Sequence, residues 1–379
     1  MAERSGSVDP AQFPDETFEL YSIPAFDVGQ PETVIGAKIG SAKQVVRPSD
    51  VLLSRIVPHI RRAWIVGNQN GRRLIASGEW IVFRSERVDS KYLRHFLVHD
   101  RFHAEFMRTV AGVGGSLLRA RPSYVAQIQI PLPPLAEQRR IAGILDKAEA
   151  LRAKRRAALA KLDLLPQAIF LELFGDPTTN PKRWSNKTVA ELCEVKGGKR
   201  LPKGEEYSTV PTAFRYIRVT DIKDGAIDES ALVYLKPEIQ QRIARYIVST
   251  GDVIISIAGS IGLVAPVPPE LDGANLTENA AKLVPRHRNA YEAGFLAAFL
   301  RTAFAQVQIG AQIGQVTIGK LALFRIEKIK VPLPPIELQC EFARRVAAVE
   351  KLKAAQRASL AKLDALFASL QHRAFRGEL

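Results

Sequence analysis

The chain has 379 residues, 46% hydrophobic and 25% charged, an ordinary balance for a globular protein and long enough for two or three domains. Its formal charge is +15 with a pI near 9.9, which points to a polyanionic partner, although a basic chain from a host with a basic proteome would look the same. No run reaches the ~18 apolar residues of a membrane span, the first twenty residues carry no signal-like apolar core, and Cys193 and Cys340 offer neither a disulfide framework nor a metal spacing. The expected location is therefore cytoplasmic.

In chain order, RPSDVLLSRI (Arg47–Ile56) reads as an acidic turn leading into a buried strand. SRIVPHIRRAWIVGNQNGRR follows, with a turn signal at NQNG. KYLRHFLVHDRFHAEF (Lys91–Phe106) is helical, and its His95, His99 and His103 share one face. No H-E-x-x-H or cysteine accompanies them, so a partly exposed amphipathic face is expected rather than a metal centre. GVGGSLLRARPSYVAQIQIPLPP then reads as a glycine-containing loop and a strand ending in the cluster Ile130–Pro134.

After that cluster the texture changes. Leu135–Leu165 is rich in Ala, Leu, Lys, Arg and Glu, with apolar residues at spacings of three and four, the pattern of one long helix. Pro134 suits its first turn, whereas Pro166 should kink or interrupt it. FGDPTTNP (Phe174–Pro181) stops the helix and opens a new domain.

The same order then returns. STGDVIISIAGSIGLV (Ser249–Val264) faces the RPSDVLLSRI strand, aligning Asp50 with Asp252 and Ser54 with Ser256. AGFLAAFLRTAFAQVQ (Ala293–Gln308) faces the first helical stretch, and IGQVTIGKLALFRIEKIKVPLPP faces the first loop and strand. Shifted by 201 positions, VPLPP (Val331–Pro335) opens a gap-free match: LAKLD recurs at Leu159–Asp163 and Leu360–Asp364, Gln138 matches Gln339, and Phe174 matches Phe375. The chain is a tandem duplication of domain plus helix. Neither apolar stripe can be buried by its own helix, so the two helices, each about 55–60 Å long at ~1.5 Å per residue, are expected to pair as a coiled coil. A plain helical hairpin is the simpler alternative, and the β-type texture of the intervening ~155 residues argues against it.

PLPP-x3-Q, the LAKLD helices, LFGDPTTNPKRW (Leu173–Trp184), YIRVTDI (Tyr216–Ile222), GDVIIS with GSIG, LTENAAKL (Leu276–Leu283) and the terminal AFRGEL occur in an order that resembles the specificity subunit of type I restriction–modification systems. The first domain departs from it, with no YIRVTDI equivalent. The resemblance implies an α+β fold with target-recognition domains at 1–134 and 177–335. Between and after them lie conserved spacer helices at 135–176 and 336–379, forming an antiparallel coiled coil with a pseudo-twofold repeat. It implies a non-catalytic subunit that reads a bipartite double-stranded DNA target and carries two modification subunits and restriction subunits. S-adenosylmethionine, ATP and Mg²⁺ would be bound by those partners, and this chain would hold no cofactor or metal.

The basic excess is +4 in residues 1–134, +2 in 135–176, +6 in 177–335 and +3 in 336–379, so the globular domains are expected to meet the polyanion. Guanine is read by Arg or Lys, adenine by Asn or Gln, and cytosine by carboxylates. The second-domain candidates are Lys196, Lys199, Arg200 and Lys203 in VKGGKRLPKG; Arg218, Thr220 and Asp221 in YIRVTDI; and Gln312 and Gln315. Those of the first domain are Arg55, Arg61, Arg62, Asn68, Asn70, Arg72, Arg73, Arg119 and Arg121. Solvated basic loops and hairpin chemistry are the bland alternatives for the same residues. A coiled-coil adaptor with two protein-binding domains is the competing function, and a stand-alone nuclease or methyltransferase a third. For the third the motifs fail: GQVTIGKL has Leu321 where a P-loop needs Ser or Thr, AGVGGS follows a helix rather than a strand, DIK lacks an upstream acid, and no NPP[YF] tetrapeptide is present.

Overall fold

A four-residue buried strand lies at the heart of each repeat. Val51–Ser54 pairs antiparallel with Ala63–Ile65 and Trp80–Phe83, and Val253–Ser256 pairs in the same way with Val264–Pro266 and Ala280–Pro285. All four residues of each strand are buried, as expected of sheet covered on both faces. The acidic turn before each strand is also shared: Asp50 accepts the Arg47 N–H at 2.8 Å and Asp252 the Ser249 N–H at 2.9 Å. This computed structural model describes residues 6–112, 118–313 and 319–379.

The chain divides into two compact units, Met1–Ala157 with Gln356–Leu379, and Ala158–Ala355. The division falls inside both long helices, Leu135–Phe174 and Ile336–Ala374. In the first unit Arg152 pairs with Asp364 at 2.5 Å and Arg155 bonds Gln356. In the second, Lys353 pairs with Asp163 at 2.8 Å and Arg345 with Glu172 at 3.0 Å. As one helix advances its partner recedes, so the helices run antiparallel within each unit.

Pro166 does not interrupt its helix, which runs unbroken through it. Proline removes one N–H from the ladder, but the ion pairs of Asp163 and Glu172 hold the chain against the partner helix on either side. Leu164 and Leu165 are exposed there, so water reaches this stretch.

In unit 1 the helix pair Ser90–Leu97 and Asp100–Arg108 lays Phe96, Phe102 and Phe106 on a core that includes Ile141 and Leu145 of the central helix and Phe367 and Phe375 from the C-terminal end. In unit 2 Ala293–Leu300 and Ala303–Ala311 do the same, with Phe295 and Phe299 packed on Phe170, Phe174 and Phe342. Each domain thus shares one continuous core with both long helices.

The two repeats differ at the proline joint. The strand Lys330–Leu333 that enters VPLPP pairs with Ser185–Thr188. The expected strand into IPLPP is absent among the described residues: the Pro131 carbonyl accepts the Tyr92 hydroxyl at 2.9 Å instead of joining a ladder, and Leu132 stays 47% exposed. Conversely, the first domain does contain a counterpart of the YIRVTDI strand. Thr17–Tyr21 runs parallel to Arg73–Ala76, as Arg215–Ile217 runs parallel to Asn275–Leu276.

His95 is fully buried, unlike the partly exposed position expected for it, while His99 and His103 are half-buried. Its Nε2 lies 2.8 Å from Asp146, which also pairs with Lys91, and Arg94 holds Glu149 at 2.5 Å. His95, Asp146 and Glu149 are close enough to share an ion, but these cations already neutralise both carboxylates. Burial, then Arg94, pushes the His95 pKa below its ordinary value, and burial also lowers His99 and His103. A depressed histidine binds its proton more readily when unfolded, so unit 1 is expected to lose stability as pH falls below about 6.5, by at most ~1.4 kcal/mol per pH unit per histidine. Although burial alone would raise the Asp146 carboxyl, Lys91 and His95 hold it below the ordinary carboxylate range, so its effect enters only at lower pH. Urea titrations between pH 7 and 5 check this: His95→Gln should flatten the slope, and an unchanged slope would contradict the assignment.

Candidate nucleic-acid interface

In the second domain the strand Cys193–Gly197 ends in the predicted basic loop. Gly198 donates to the Ala280 carbonyl at 3.1 Å and Lys199 to that of Leu276 at 2.8 Å. A Cβ at Gly198 would lie 2.2 Å from the Thr277 carbonyl oxygen. Only glycine lets the backbone approach so closely, and the approach pins the loop to the LTENAAKL segment. The Tyr216 hydroxyl donates to the Lys199 carbonyl at 2.9 Å, and burial pushes its pKa up to about 12.

This anchoring lifts the cations outward. Arg200 is 77% exposed and touches Glu278 at 2.6 Å. Burial would raise the Glu278 carboxyl, but the Arg200 guanidinium and other hydrogen bonds hold it lower. The Lys199 ammonium stands 5.9 Å from the Tyr246 ring and the Arg245 guanidinium 5.2 Å from it. The Arg245 hydrogen bond draws the Tyr246 hydroxyl pKa down. Tyr207 lies 5.5 Å from Tyr216, and Lys203 is exposed on the same loop. Cations interleaved with aromatic faces on a rigid backbone suit a phosphodiester chain. Sequence reasoning missed Tyr207, Arg245 and Tyr246, which carry no motif, and passed over Glu278 although it quoted LTENAAKL.

The other second-domain candidates are placed differently. Lys196 pairs with Glu194 at 2.5 Å. Asp221 is 1% exposed and accepts both the Arg218 N–H and its guanidinium, at 2.8 and 2.7 Å. It therefore holds Arg218 instead of facing a base, a correction that follows from its burial. Arg218 also donates to the Ala231 carbonyl at 2.7 Å, and Thr220 is exposed beside it. Gln312 is half-buried, with its carbonyl bound by Arg325 at 2.6 Å; Gln315 lies outside the described residues. Asp221→Asn is expected to cost about 1–3 kcal/mol of stability, the range for an impaired buried hydrogen bond, with DNA affinity falling only as far as Arg218 loosens. Urea denaturation and binding at one fixed salt concentration check this together.

The first domain offers fewer uncommitted groups. Arg62 is held by both oxygens of Asp27 at 2.9 and 3.0 Å, and Arg73 by both of Glu16. Arg55 and Arg119 converge on Glu79 at 3.5 and 3.1 Å, and Arg61 pairs with Asp100 at 2.6 Å. A guanidinium fork occupied by a carboxylate cannot present the same face to guanine, so Arg62, Arg73 and Arg119 brace the domain, while Arg61 makes one contact to Asp100 and Arg55 none to Glu79 within hydrogen-bond geometry. Asn68, Asn70 and Arg72 remain exposed, Arg72 only 3.7 Å from Glu19. Arg121 lies 4.0 Å over the exposed Tyr124 ring, another cation–aromatic pair.

Among the described residues no helix is long and apolar enough to cross a membrane. Residues 181–363 match the family described as the Type I restriction modification DNA specificity domain. The chain is 26% identical over 280 residues to the type I restriction enzyme EcoBI specificity subunit of Escherichia coli, an overlap of 66% of this chain and 58% of that protein. It is 25% identical over 334 residues to the EcoKI specificity subunit of Escherichia coli strain K12, covering 79% and 68%. Two solved structures share the fold. One, from work on complex assembly and conformational transition of the type I R-M system, has TM-score 0.61 at 22% identity, covering 100% and 96% of the two chains. The other, the type I system S subunit of M. genitalium, has TM-score 0.54 at 16% identity, covering 96% and 89%. Its second domain thus matches a type I restriction modification DNA specificity domain, and the chain as a whole, with its duplicated α+β domains and antiparallel helices, is similar to the specificity subunits of type I restriction–modification systems.

Proposed function

We propose that this chain reads a split DNA target, one half-site per domain, and carries the catalytic subunits of a type I system to it. The observation that carries this reading is the repeat itself: two domains built on the same central three-strand pairing and the same parallel strand pair, each sharing its core with long paired helices. A duplicated reader can address two unrelated half-sites while keeping the near-symmetric presentation that a dimer would have. Helices of about 40 residues, ~60 Å at 1.5 Å per residue, correspond to roughly 17–18 bp of duplex at ~3.4 Å per pair, enough for a bipartite site.

In this reading the chain performs no chemistry and binds no cofactor. Two modification subunits dock on it and methylate adenine with S-adenosylmethionine, and restriction subunits supply ATP- and Mg²⁺-dependent cleavage. The basic loop around Gly198 and the Arg121–Tyr124 pair supply the polyanion contacts. Single-molecule methylome sequencing of the host with and without the gene tests the proposal. A bipartite methylated motif should vanish on deletion, and a methylome left intact in a host whose system is active would overturn it.

A further inference from the structure

Gln138 and Gln339 lie 201 positions apart, the offset of the duplication, and each is 1% exposed. The Gln138 carboxamide oxygen accepts the Asp89 N–H at 2.9 Å, and its NH₂ donates to the carbonyls of Pro133 at 2.8 Å and Arg87 at 3.2 Å. The Gln339 oxygen accepts the Glu292 N–H at 2.8 Å, and its NH₂ donates to the Pro334 carbonyl at 2.7 Å. Asp89 and Glu292 are the N-caps of Ser90–Leu97 and Ala293–Leu300, the helices that pack each domain against its long helix. In each unit, one side chain in the first turn of a long helix therefore ties together the proline joint and the start of a domain helix.

The geometry is demanding. A buried carboxamide is satisfied only when donor and acceptor sit on opposite sides at hydrogen-bond distance. A domain that tilted on its helix would leave the N-cap N–H and the carboxamide unpaired and away from water. Proline fixes φ on the other side of the joint and has no N–H with which to offer an alternative partner. The arrangement recurs although the repeats have diverged at the joint itself, where VPLPP is covered by a strand and IPLPP is not.

We propose that Gln138 and Gln339 are positioning residues that set the angle of each recognition domain on its own helix, and through it the spacer length at which both half-sites are read. This rests on the DNA-reading function proposed above. The test uses the chain assembled with its modification subunits and measures methylation on duplexes whose spacer equals, or differs by one base pair from, the preferred length.

Gln339→Met keeps the shape and loses both hydrogen bonds; Gln339→Glu keeps an acceptor for the Glu292 N–H. The Met variant should reduce discrimination against the wrong spacers by about tenfold, roughly 1.4 kcal/mol of lost orientation, and the Glu variant by less. Gln138 should behave alike. Discrimination equal to the unsubstituted complex, or methylation lost by one factor at every spacing, would overturn the proposal. If the Met variant does not assemble, the Glu variant decides by the same criterion. An unsubstituted complex with no spacer preference would instead overturn the DNA-reading function beneath it.

Discussion

Phe375→Ala is expected to destabilise the first unit by about 3–5 kcal/mol, the usual cost of emptying a well-packed aromatic site. Phe375 is 3% exposed and meets Phe96, Tyr92 and His99 edge-on or tilted, at ring separations of 5.1, 5.6 and 5.0 Å. It joins the C-terminal segment to a domain nearly three hundred positions earlier in the chain, so the substitution removes long-range packing that no neighbour replaces. Its counterpart Phe174 lies among Phe295, Phe170 and Phe342 at 4.8, 5.0 and 5.5 Å, and Phe174→Ala should cost the second unit a similar amount. Urea unfolding followed by a probe in each unit checks both. A loss below ~1 kcal/mol would mean that the long helices are not integral to the domain cores.

Reversing the basic loop, Lys199→Glu with Arg200→Glu and Lys203→Glu, should lower DNA affinity by about tenfold per site and on the order of a thousandfold in all. The plot of log affinity against log salt should become shallower by ~2.7, about 0.9 for each phosphate that is no longer neutralised. Arg200→Glu also places a second carboxylate beside Glu278, which now touches the guanidinium at 2.6 Å. The fold should survive, because the loop is pinned by the Gly198 and Lys199 backbone rather than by these side chains. Filter binding across a salt series, with circular dichroism as the folding control, reads the result; undiminished affinity would remove this loop from the interface.

The helices and their duplication were legible in the sequence because a coiled seam repeats its residue types at a fixed spacing and the two copies align without a gap. The buried acidic turns at Asp50 and Asp252 were legible for the same reason. The strand Thr17–Tyr21 was not: parallel pairing joins segments far apart in sequence, Arg73–Ala76 in this case, and leaves no local signature. Arginines fared worst. Arg62 finds Asp27 and Arg73 finds Glu16 across 35 and 57 positions, so two arginines of a run that reads as a DNA-contacting patch are engaged by carboxylates no local pattern announces. Asp221 failed as a base reader because its burial could not be told from YIRVTDI. Pro166 obeyed its rule on hydrogen bonding, but tertiary packing overrode its expected effect on the helix.

Exchanging residues 177–335 for the corresponding domain of a related specificity subunit, and sequencing the methylome of the host that carries the hybrid, tests the central claim most directly. The account predicts that one half of the bipartite methylated motif changes while the other half and the spacer between them stay as they were. A motif altered in both halves, or in neither, would contradict the assignment of one half-site to each domain.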